Sequence, residues 1–245
     1  LVLSGFLFKI ALVPFHMWAP DVYEGSPTPI TAFFATIPKI GAIAILIKFL
    51  NIPFDSMQDT WFIILYSISI ISMIFASVAA INQENIKRLL AYSSIGHLGF
   101  IMLGVLVSNE SGIKGIEVYL LIYSLTILAI FAIILCCKDD KDGNYIESIK
   151  SFSGLLKKNT FLAVSLTILL FSLAGIPPTA GFFGKLYILA PLIQNELYVI
   201  SIIAVLTSVI SAFYYLRIIK VTVFDNLKTN IFCETPVIYK IFINL

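Results

Sequence analysis

Residues 173–185 read LAGIPPTAGFFGK, with two adjacent prolines and three glycines inside an otherwise apolar segment. Proline removes an amide donor and its ring crowds the preceding helical turn, so this stretch cannot continue as a regular helix. Membrane-spanning helices tolerate such a break where the freed backbone groups face protein or water, and ion pathways are found at such places. We therefore predict a discontinuous membrane helix, with Lys185 directly after the break. A proline kink in a continuous helix is the alternative.

The composition of the whole chain indicates a membrane location. Of 245 residues, 59% are hydrophobic and 12% are charged, whereas about a quarter of the residues are charged in a typical soluble domain. This excludes a water-soluble globule. The net charge of +2 is too small and too scattered to indicate a nucleic-acid partner. No polar stretch is long enough for a separate soluble domain, so residues 1–245 are predicted to form a single transmembrane domain in the lipid bilayer.

Stretches of about 20 apolar residues predict membrane-spanning helices. Eight such segments account for the chain, so the predicted fold class is an all-α polytopic bundle. The segments are A (Leu1–Phe15), B (Ile30–Leu50), C (Trp61–Ile81), D (Leu89–Val107), E (Ile116–Cys137), F (Phe161–Ala190), G (Tyr198–Phe224) and H (from Pro236 to the end). Residues 138–159, between E and F, are polar and predict a solvated loop with room for a short helix.

Basic residues in the connections predict the orientation of the bundle. If every segment crosses, most lysines and arginines fall on one side, and an excess of these residues marks the cytoplasmic or mitochondrial-matrix side. The residues on that side are Lys87, Arg88, Lys138, Lys141, Lys150, Lys157, Lys158, Arg217, Lys220 and Lys228, and those on the other are Lys48 and Lys114. The A–B, C–D and E–F connections and the end of G are therefore predicted to face the cytoplasm or matrix.

Cysteine spacing and glycine motifs indicate whether the chain could bind a metal, an iron–sulfur cluster or a nucleotide. Cys136, Cys137 and Cys233 include no C-x-x-C pair and no set of four thiolates for zinc or an iron–sulfur cluster. Neither G-x-G-x-x-G after a strand nor G-x-x-x-x-G-K-[ST] is present, so no nucleotide site is indicated. We expect no cofactor in this chain.

Three lysines fall within apolar segments: Lys9 in A, Lys39 in B and Lys185 in F. A lysine at the bilayer centre costs about 2.5–3.5 kcal/mol on insertion scales, so each is expected to face protein or water rather than lipid. Lys39 shares a helical face with small residues, which favour helix packing, and is expected to point into the bundle. Burial disfavours a charged amine, so a buried lysine can load and release a proton. The alternative is a lysine that snorkels to the headgroups or pairs with a carboxylate; Lys48, near the end of B, is predicted to snorkel.

Polar residues on helical faces indicate a hydrated interior. Ser93 and His97 are one turn apart in segment D, and serines recur along C and G; the serines are more readily explained as helix–helix contacts. Imidazole titrates near neutral pH and can relay a proton through its two nitrogens, so His97 is a candidate relay residue. A hydrogen-bonded interhelical histidine is the alternative. His16 lies between prolines at the end of A and is predicted to belong to a loop.

Three stretches of the chain resemble one family of membrane proteins. They are residues 8–28 (FKIALVPFHMWAPDVYEGSPT), residues 85–97 (NIKRLLAYSSIGH) and residues 173–185. In this order they closely resemble the antiporter-like subunits of respiratory complex I, and most closely the N-type class. That class has lysines in its seventh, eighth and twelfth helices, and Lys9, Lys39 and Lys185 match these positions.

The resemblance implies a proton-translocating bundle of two inverted five-helix repeats, in a membrane arm driven by remote electron transfer from NADH to ubiquinone. Segments A to H would correspond to helices seven to fourteen, with A and F the two broken helices. NADH, FMN, iron–sulfur clusters and ubiquinone are then expected in other subunits, and other membrane-arm subunits are the expected partners.

The start of the chain departs from that pattern. The chain begins inside an apolar segment with no initiator methionine or signal peptide, and the family's first six helices have no counterpart. One of them bears the buried glutamate that pairs with the lysine matched by Lys9. We expect a separate polypeptide, or other subunits, to supply these helices.

We hypothesise that Lys9, Lys39, His97 and Lys185 form part of a hydrated proton relay, with Lys185 as the terminal exchange site. A subunit of a multisubunit cation/proton antiporter is the closest rival, because it shares the broken helices. A purely structural membrane-arm subunit with static lysines is the third alternative. A composition typical of an AT-rich genome and an apparently split subunit favour the mitochondrial inner membrane, with the bacterial plasma membrane as the alternative location.

Overall fold

The computed structural model describes residues 1–107, 109–139, 145–226 and 231–233. Most of this part is helical, which confirms the predicted all-α bundle. The helices are α1 (Val2–Ile10), α2 (Trp18–Gly25), α3 (Thr28–Asn51), α4 (Gln58–Ile81), α5 (Ile86–Val107), α6 (Glu110–Cys136), α7 (Leu155–Lys158), α8 (Thr160–Ala174), α9 (Ala180–Gln194) and α10 (Tyr198–Val223). Two short strands, β1 (Cys137–Asp139) and β2 (Ile231–Cys233), and two 3-10 turns, Asp55–Met57 and Ile149–Phe152, complete the described elements.

Within the residues that the structure describes, five helices are long and apolar enough to cross a membrane: α3, α4 with the 3-10 turn before it, α5, α6 and α10. They correspond to the predicted segments B, C, D, E and G. The predicted and observed helix boundaries differ clearly at the start of α6, which was predicted at Ile116 and begins at Glu110. The Asn109 side chain accepts a hydrogen bond from the Gly112 amide and caps the helix there. Segment H lies outside the described residues.

The helix that begins in segment A is broken into two half-helices, as the resemblance implied, and the second half lies beyond the predicted end of the segment at Phe15. The first, α1, ends where Ala11 takes a left-handed conformation, with φ of 66°. Side chains bind backbone groups at the break: Ser72 Oγ accepts a hydrogen bond from the Val13 amide at 3.0 Å, and Trp18 Nε1 donates to the Phe8 carbonyl at 2.9 Å. The break is therefore stable within the bundle.

The second half-helix corrects the sequence-based interpretation of this region. Residues 18–25 form α2, although the sequence interpretation had left them in the connection between segments A and B. Pro20 lies in the first turn of α2, where its missing amide donor is not needed. His16 does lie in the connection, as predicted, but it is buried, and its ring lies 4.6 Å from that of Phe75.

The predicted break in segment F is confirmed. Gly175 ends α8 with φ of 79°, and its amide donates to the carbonyls of Phe171 and Ser172. Helix α9 starts five residues later, and its Gly181 amide donates to Ser172 Oγ at 3.1 Å. Each half-helix has 15 residues, about 22 Å in length, so neither half alone crosses a hydrocarbon core of about 30 Å.

Helix α5 lies at the centre of the bundle. In the most apolar stretch of α5, 83% of the residues are buried, whereas the buried share of the corresponding stretch is 33% to 56% in the other four long helices. It packs against α2, α4, α6 and α9, and so contacts both broken helices. Polar residues on α5 therefore face protein rather than lipid.

The connections predicted to share one side of the membrane meet there. Arg88 at the start of α5 pairs with Glu24 at the end of α2 at 2.8 Å, and Lys87 pairs with Glu147 at 2.6 Å. Arg217 on α10 donates to a backbone carbonyl at the end of α4 at 2.6 Å. These contacts confirm that the crossings alternate as predicted; which side is cytoplasmic stays a prediction.

Residues 145–159 form the described part of the predicted loop beyond Asp139, and residues 155–158 form the short helix for which the sequence left room. In the part that the structure describes, Ile149, Phe152 and Leu155 are buried, because an apolar residue at every third position lets the connection dock on the end of the bundle. Lys150 Nζ donates a hydrogen bond to Glu84 Oε1 at 2.8 Å, and this contact lowers the pKa of the Glu84 carboxyl below its ordinary value. The connection thus ties α6 and α8 to the turn between α4 and α5.

The pairing of β1 with β2 can be tested by cross-linking. Cys137 and Cys233 are directly opposite in this antiparallel pair, where Cα atoms lie about 4.5–5.5 Å apart, within the range of about 4.4–6.8 Å that a disulfide requires. We expect oxidation by copper phenanthroline to join the two cysteines, detected by peptide mass spectrometry, and to do so equally in Cys136→Ser. A link that uses Cys136 instead of Cys137 would show a different register.

Candidate functional site

Lys39 lies in the middle of α3, and only 1% of it is exposed. Its Nζ donates a hydrogen bond to Ser94 Oγ on α5 and lies 5.2 Å from the ring centre of Tyr23 on α2. Its small neighbours Ala35 and Thr36 are also buried and allow close approach of the helices. The prediction that Lys39 points into the bundle is confirmed.

His97 lies on α5 between two other helices and is hydrogen-bonded at both ring nitrogens. Its Nδ1 lies 2.7 Å from Tyr119 OH on α6, and its Nε2 lies 2.9 Å from Tyr215 OH on α10. The Tyr215 hydroxyl also shares a hydrogen bond with Ser93. In a neutral imidazole one nitrogen donates and the other accepts, so one tyrosine donates to His97 and the other accepts from it. This arrangement suits the transfer of a proton across the ring.

Lys185 lies in the second turn of α9, buried against the end of α8. Its Nζ donates to the Ala174 carbonyl at 2.9 Å and lies 5.8 Å from the ring centre of Phe100. Ala174 is the last residue of α8, where carbonyls lack intrahelical donors and favour a nearby cation. Lys185 therefore joins the two half-helices across the break.

Two spaces meet at Lys185. On one side is a cavity of about 30 Å³ that also borders Ser93 and His97, which is enough for one or two water molecules. On the other side is a groove of about 260 Å³ between α8, α9 and α10, which Gly175 and Ser208 also line. Lys185 thus borders both the interior next to His97 and a groove at the broken helix.

Lys9 is not part of this buried group. Its side chain is exposed on α1, in an open groove of about 530 Å³ between α1 and α3 that Gly5 and Gly41 also line. No described element covers this face of α1, so the expectation that Lys9 faces protein or water stays a prediction.

The two buried lysines lack acidic partners. Among the described residues no aspartate or glutamate is buried, and the ion pairs of the described chain involve neither Lys39 nor Lys185. A buried charge without an opposite charge is costly. Each of these lysines therefore has a physical reason to release a proton, which a lysine paired with a carboxylate would lack.

The site contains residues that the sequence interpretation missed. Tyr123 OH donates to Ser94 Oγ at 2.8 Å, which extends the contact of Lys39. Tyr119 and Tyr123 are four residues apart on α6, and this spacing on one helical face could have identified them. Tyr215 carried no such signal, because its partners lie on α5, far away in sequence.

The hydrogen bonds form two separate groups, which lie next to each other at His97. The first joins Lys39, Ser94 and Tyr123, and the second joins Ser93 and the partners of His97. The groups meet where the rings of His97 and Tyr123 lie 5.4 Å apart. Polar side chains thus lead from Lys39 to His97, and the cavity leads from His97 to Lys185.

The sequence and the fold define a known class of membrane protein. The family described as NADH:quinone oxidoreductase/Mrp antiporter, transmembrane, matches residues 1–211. The chain belongs to this family.

Individual relatives narrow the assignment. NADH-quinone oxidoreductase subunit N of Pelagibacter ubique is 52% identical over 229 residues, which cover 94% of this chain and 48% of the relative. The predicted resemblance to N-type subunits is confirmed. The chain spans about half the length of the curated relatives it matches.

Solved structures share the fold of this chain. A chain of respiratory complex I from Thermus thermophilus is 33% identical, with a TM-score of 0.82, over 98% of this chain and 52% of that one. A chain of the Mrp complex from Dietzia shares the fold at 24% identity, with a TM-score of 0.80, over 96% of this chain and 42% of that one.

Proposed function

We propose that this chain is part of an N-type membrane-arm subunit of respiratory NADH:quinone oxidoreductase, and that it translocates protons. The observation that carries the proposal is the pair of buried lysines without carboxylate partners, Lys39 and Lys185, with the doubly hydrogen-bonded His97 between them. The similarity to subunit N supports the choice of enzyme. NADH, FMN, iron–sulfur clusters and ubiquinone then belong to other subunits of the complex.

The proton moves from Lys39 towards Lys185. Ser94 accepts hydrogen bonds from both Lys39 and Tyr123. A hydroxyl group can donate one proton while it accepts another, so Ser94 can pass a proton from Lys39 to Tyr123 once the bond between the two hydroxyls reverses, and water is needed for the step from Tyr123 to His97. His97 passes it across its ring, and water in the cavity carries it to Lys185. A charge on one lysine raises the energy of a charge on the other, since the effective dielectric is low inside the bundle, and this coupling drives the proton onward.

Lys9 belongs to the access route from a neighbouring polypeptide. Its groove between α1 and α3 is open, and the ammonium group needs an acidic partner at membrane depth. A separate polypeptide with the remaining helices would bring that carboxylate, as the resemblance implies. Other membrane-arm subunits complete the set of partners.

The complex resides in an energy-coupling membrane. The curated relative named above, from Pelagibacter ubique, is bacterial, which supports the bacterial plasma membrane, the alternative location inferred from the sequence. The side with Lys87, Arg88 and Arg217 faces the cytoplasm, or the matrix if the membrane is mitochondrial.

The two rival functions have less support. The Mrp-type antiporter shares the fold, but the relative with 52% identity is a subunit of the oxidoreductase. A static scaffold would leave Lys185 and His97 in dry packing, whereas a cavity separates them.

The relay can be tested at Tyr215. Tyr215→Phe removes the hydroxyl that bonds both Ser93 and His97 while it keeps the ring in place. Positioned proton-transfer groups contribute about 10²–10⁴-fold to rates; because water can partly replace a hydroxyl, we expect roughly a tenfold fall in the protons pumped per NADH oxidised. The measurement is fluorescence quenching of a pH-sensitive dye in inverted membrane vesicles that contain the complex.

A matched control is available on the same helix. Tyr198 is 54% exposed at the start of α10, so Tyr198→Phe should pump like the wild type. Equal pumping by both variants would remove Tyr215 and its hydrogen bond to His97 from the proton route.

A further inference from the structure

A groove lies between α3 and α6, away from the relay. Its volume is about 540 Å³, within the range of about 300–1,000 Å³ typical of small-molecule sites. Most of its lining is aliphatic. The lining residues are Ile40, Ile43, Ala44, Ile47, Lys48, Ile113, Ile116, Glu117, Leu120, Leu121 and Ser124.

The groove has one charged end. Lys48 lies near the end of α3 and Glu117 lies near the start of α6. Because the crossings alternate, these two helix ends lie at the same membrane surface, whereas Ile40 and Ser124 line the deeper part. From a rise of 1.5 Å per residue, Lys48 lies about 5 Å from its helix end and Glu117 about 10 Å from its own. The charges therefore lie at the depth of lipid headgroups and upper acyl chains.

Neither charge has a partner in the described chain. Both side chains are exposed, and no ion pair of the described residues includes either of them. The neighbouring charges on α6 are already paired, since Lys114 binds Glu110 at 2.6 Å. An unpaired carboxylate at membrane depth is costly and needs a cationic partner.

We propose that this groove binds a phospholipid with a phosphate and a primary ammonium group, as in phosphatidylethanolamine. The phosphate binds Lys48, the ammonium binds Glu117, and one acyl chain fills the aliphatic groove. The ligand thus offers a charge of opposite sign to each side chain, and both contacts are charge-assisted hydrogen bonds.

The shape of the groove favours a lipid chain over a protein helix. Helices α3 and α6 pack directly against each other, so the groove is a cleft between touching helices. An acyl chain is one methylene group wide and can lie between the side chains that line such a cleft, whereas an α-helix with side chains is about 10–12 Å wide and would rest on the rim of the cleft.

The headgroup chemistry predicts selectivity. A choline headgroup has a quaternary nitrogen without an N–H donor, so it cannot donate a hydrogen bond to Glu117. A glycerol headgroup is uncharged, so it brings no cation to Glu117 and leaves that carboxylate unpaired. The site should therefore prefer phosphatidylethanolamine to phosphatidylcholine and phosphatidylglycerol.

Native mass spectrometry of the purified membrane complex tests the proposal. The complex in mild detergent is mixed with equal amounts of the three phospholipids, and the lipids that stay bound to the subunit are counted. Lys48→Gln should lower the retention of phosphatidylethanolamine about tenfold, because the phosphate loses its cation. Glu117→Gln should remove the preference over phosphatidylcholine while phosphate-dependent retention remains. Lys114→Gln and Glu110→Gln are the matched controls, with the same changes at the same end of α6, and should bind lipid like the wild type.

Two results would overturn the proposal. One is the same lipid retention in Lys48→Gln as in Lys114→Gln. The other comes from Ala44→Cys, which places a thiol in the groove: a maleimide-bearing lipid should label it in intact membranes, and disulfide cross-linking to another subunit instead would show that a protein covers the groove.

Discussion

Replacing Lys185 with glutamine is expected to lower proton pumping by the assembled complex at least about tenfold, because a positioned proton carrier is lost. Glutamine cannot carry a proton, but its amide can still donate to the Ala174 carbonyl that Lys185 binds at 2.9 Å. The chain should therefore remain in the complex at nearly wild-type amounts. The measurement is protons pumped per NADH oxidised in inverted vesicles, with the amount of chain determined by immunoblot.

Two further variants separate a carrier from a structural residue. Lys185→Ala removes the hydrogen bond as well and leaves a buried carbonyl unsatisfied, which costs about 1–3 kcal/mol; it should lose pumping while assembly stays largely intact. Lys114→Ala, at an exposed lysine on α6, should change neither quantity. Wild-type pumping in Lys185→Gln would show that Lys185 acts only as a structural contact.

Replacing Gly181 with alanine is expected to destabilise the chain more than any other single methyl addition near the two broken helices. An added Cβ would lie 1.8 Å from the carbonyl oxygen of Ser172. That oxygen belongs to the backbone of α8 and cannot move without opening the joint between α8 and α9. Overpacking costs about 1–3 kcal/mol where side chains can adjust, so a clash with backbone should reach or exceed the upper end.

A glycine beside the other broken helix provides the control. Gly25, in the last turn of α2, has no atom within 4 Å of an added Cβ, so Gly25→Ala should change stability by no more than about 0.5 kcal/mol. Thermal unfolding of the detergent-solubilised protein, followed by intrinsic fluorescence, measures both. Equal melting temperatures for the two variants would contradict the close packing of α9 on Ser172.

The positions of the long helices could be predicted from the sequence, because a long apolar run indicates a membrane-spanning helix. The break at residues 175–179 was predictable because two prolines and a left-handed glycine exclude helix whatever the surroundings. The half-helix α2 was not predictable, because a stretch of eight residues with two charges resembles a loop. Its position depends on the ion pair with Arg88 and on the turn that leads into α3. Short helices depend on tertiary contacts, and these contacts cannot be inferred from the periodicity of the sequence.

The candidate site shows the same limit. Lys39 and Lys185 were predictable because a lysine at membrane depth is costly in any fold. Their partners Ser94 and Ala174 come from another helix or from across a break, so they follow from packing alone. Lys9 illustrates the opposite case: it satisfies the same sequence criterion, but its helical face is exposed in this chain.

The hydrogen bond from Lys185 to Ala174 has a consequence for the joint between α8 and α9. An ammonium group has three N–H donors, and the amine that remains after a proton leaves still has two. One of them can continue to bind the Ala174 carbonyl in either state. Lys185 can therefore change its charge while the two half-helices stay connected, and the mechanical integrity of the broken helix does not depend on whether the proton is present.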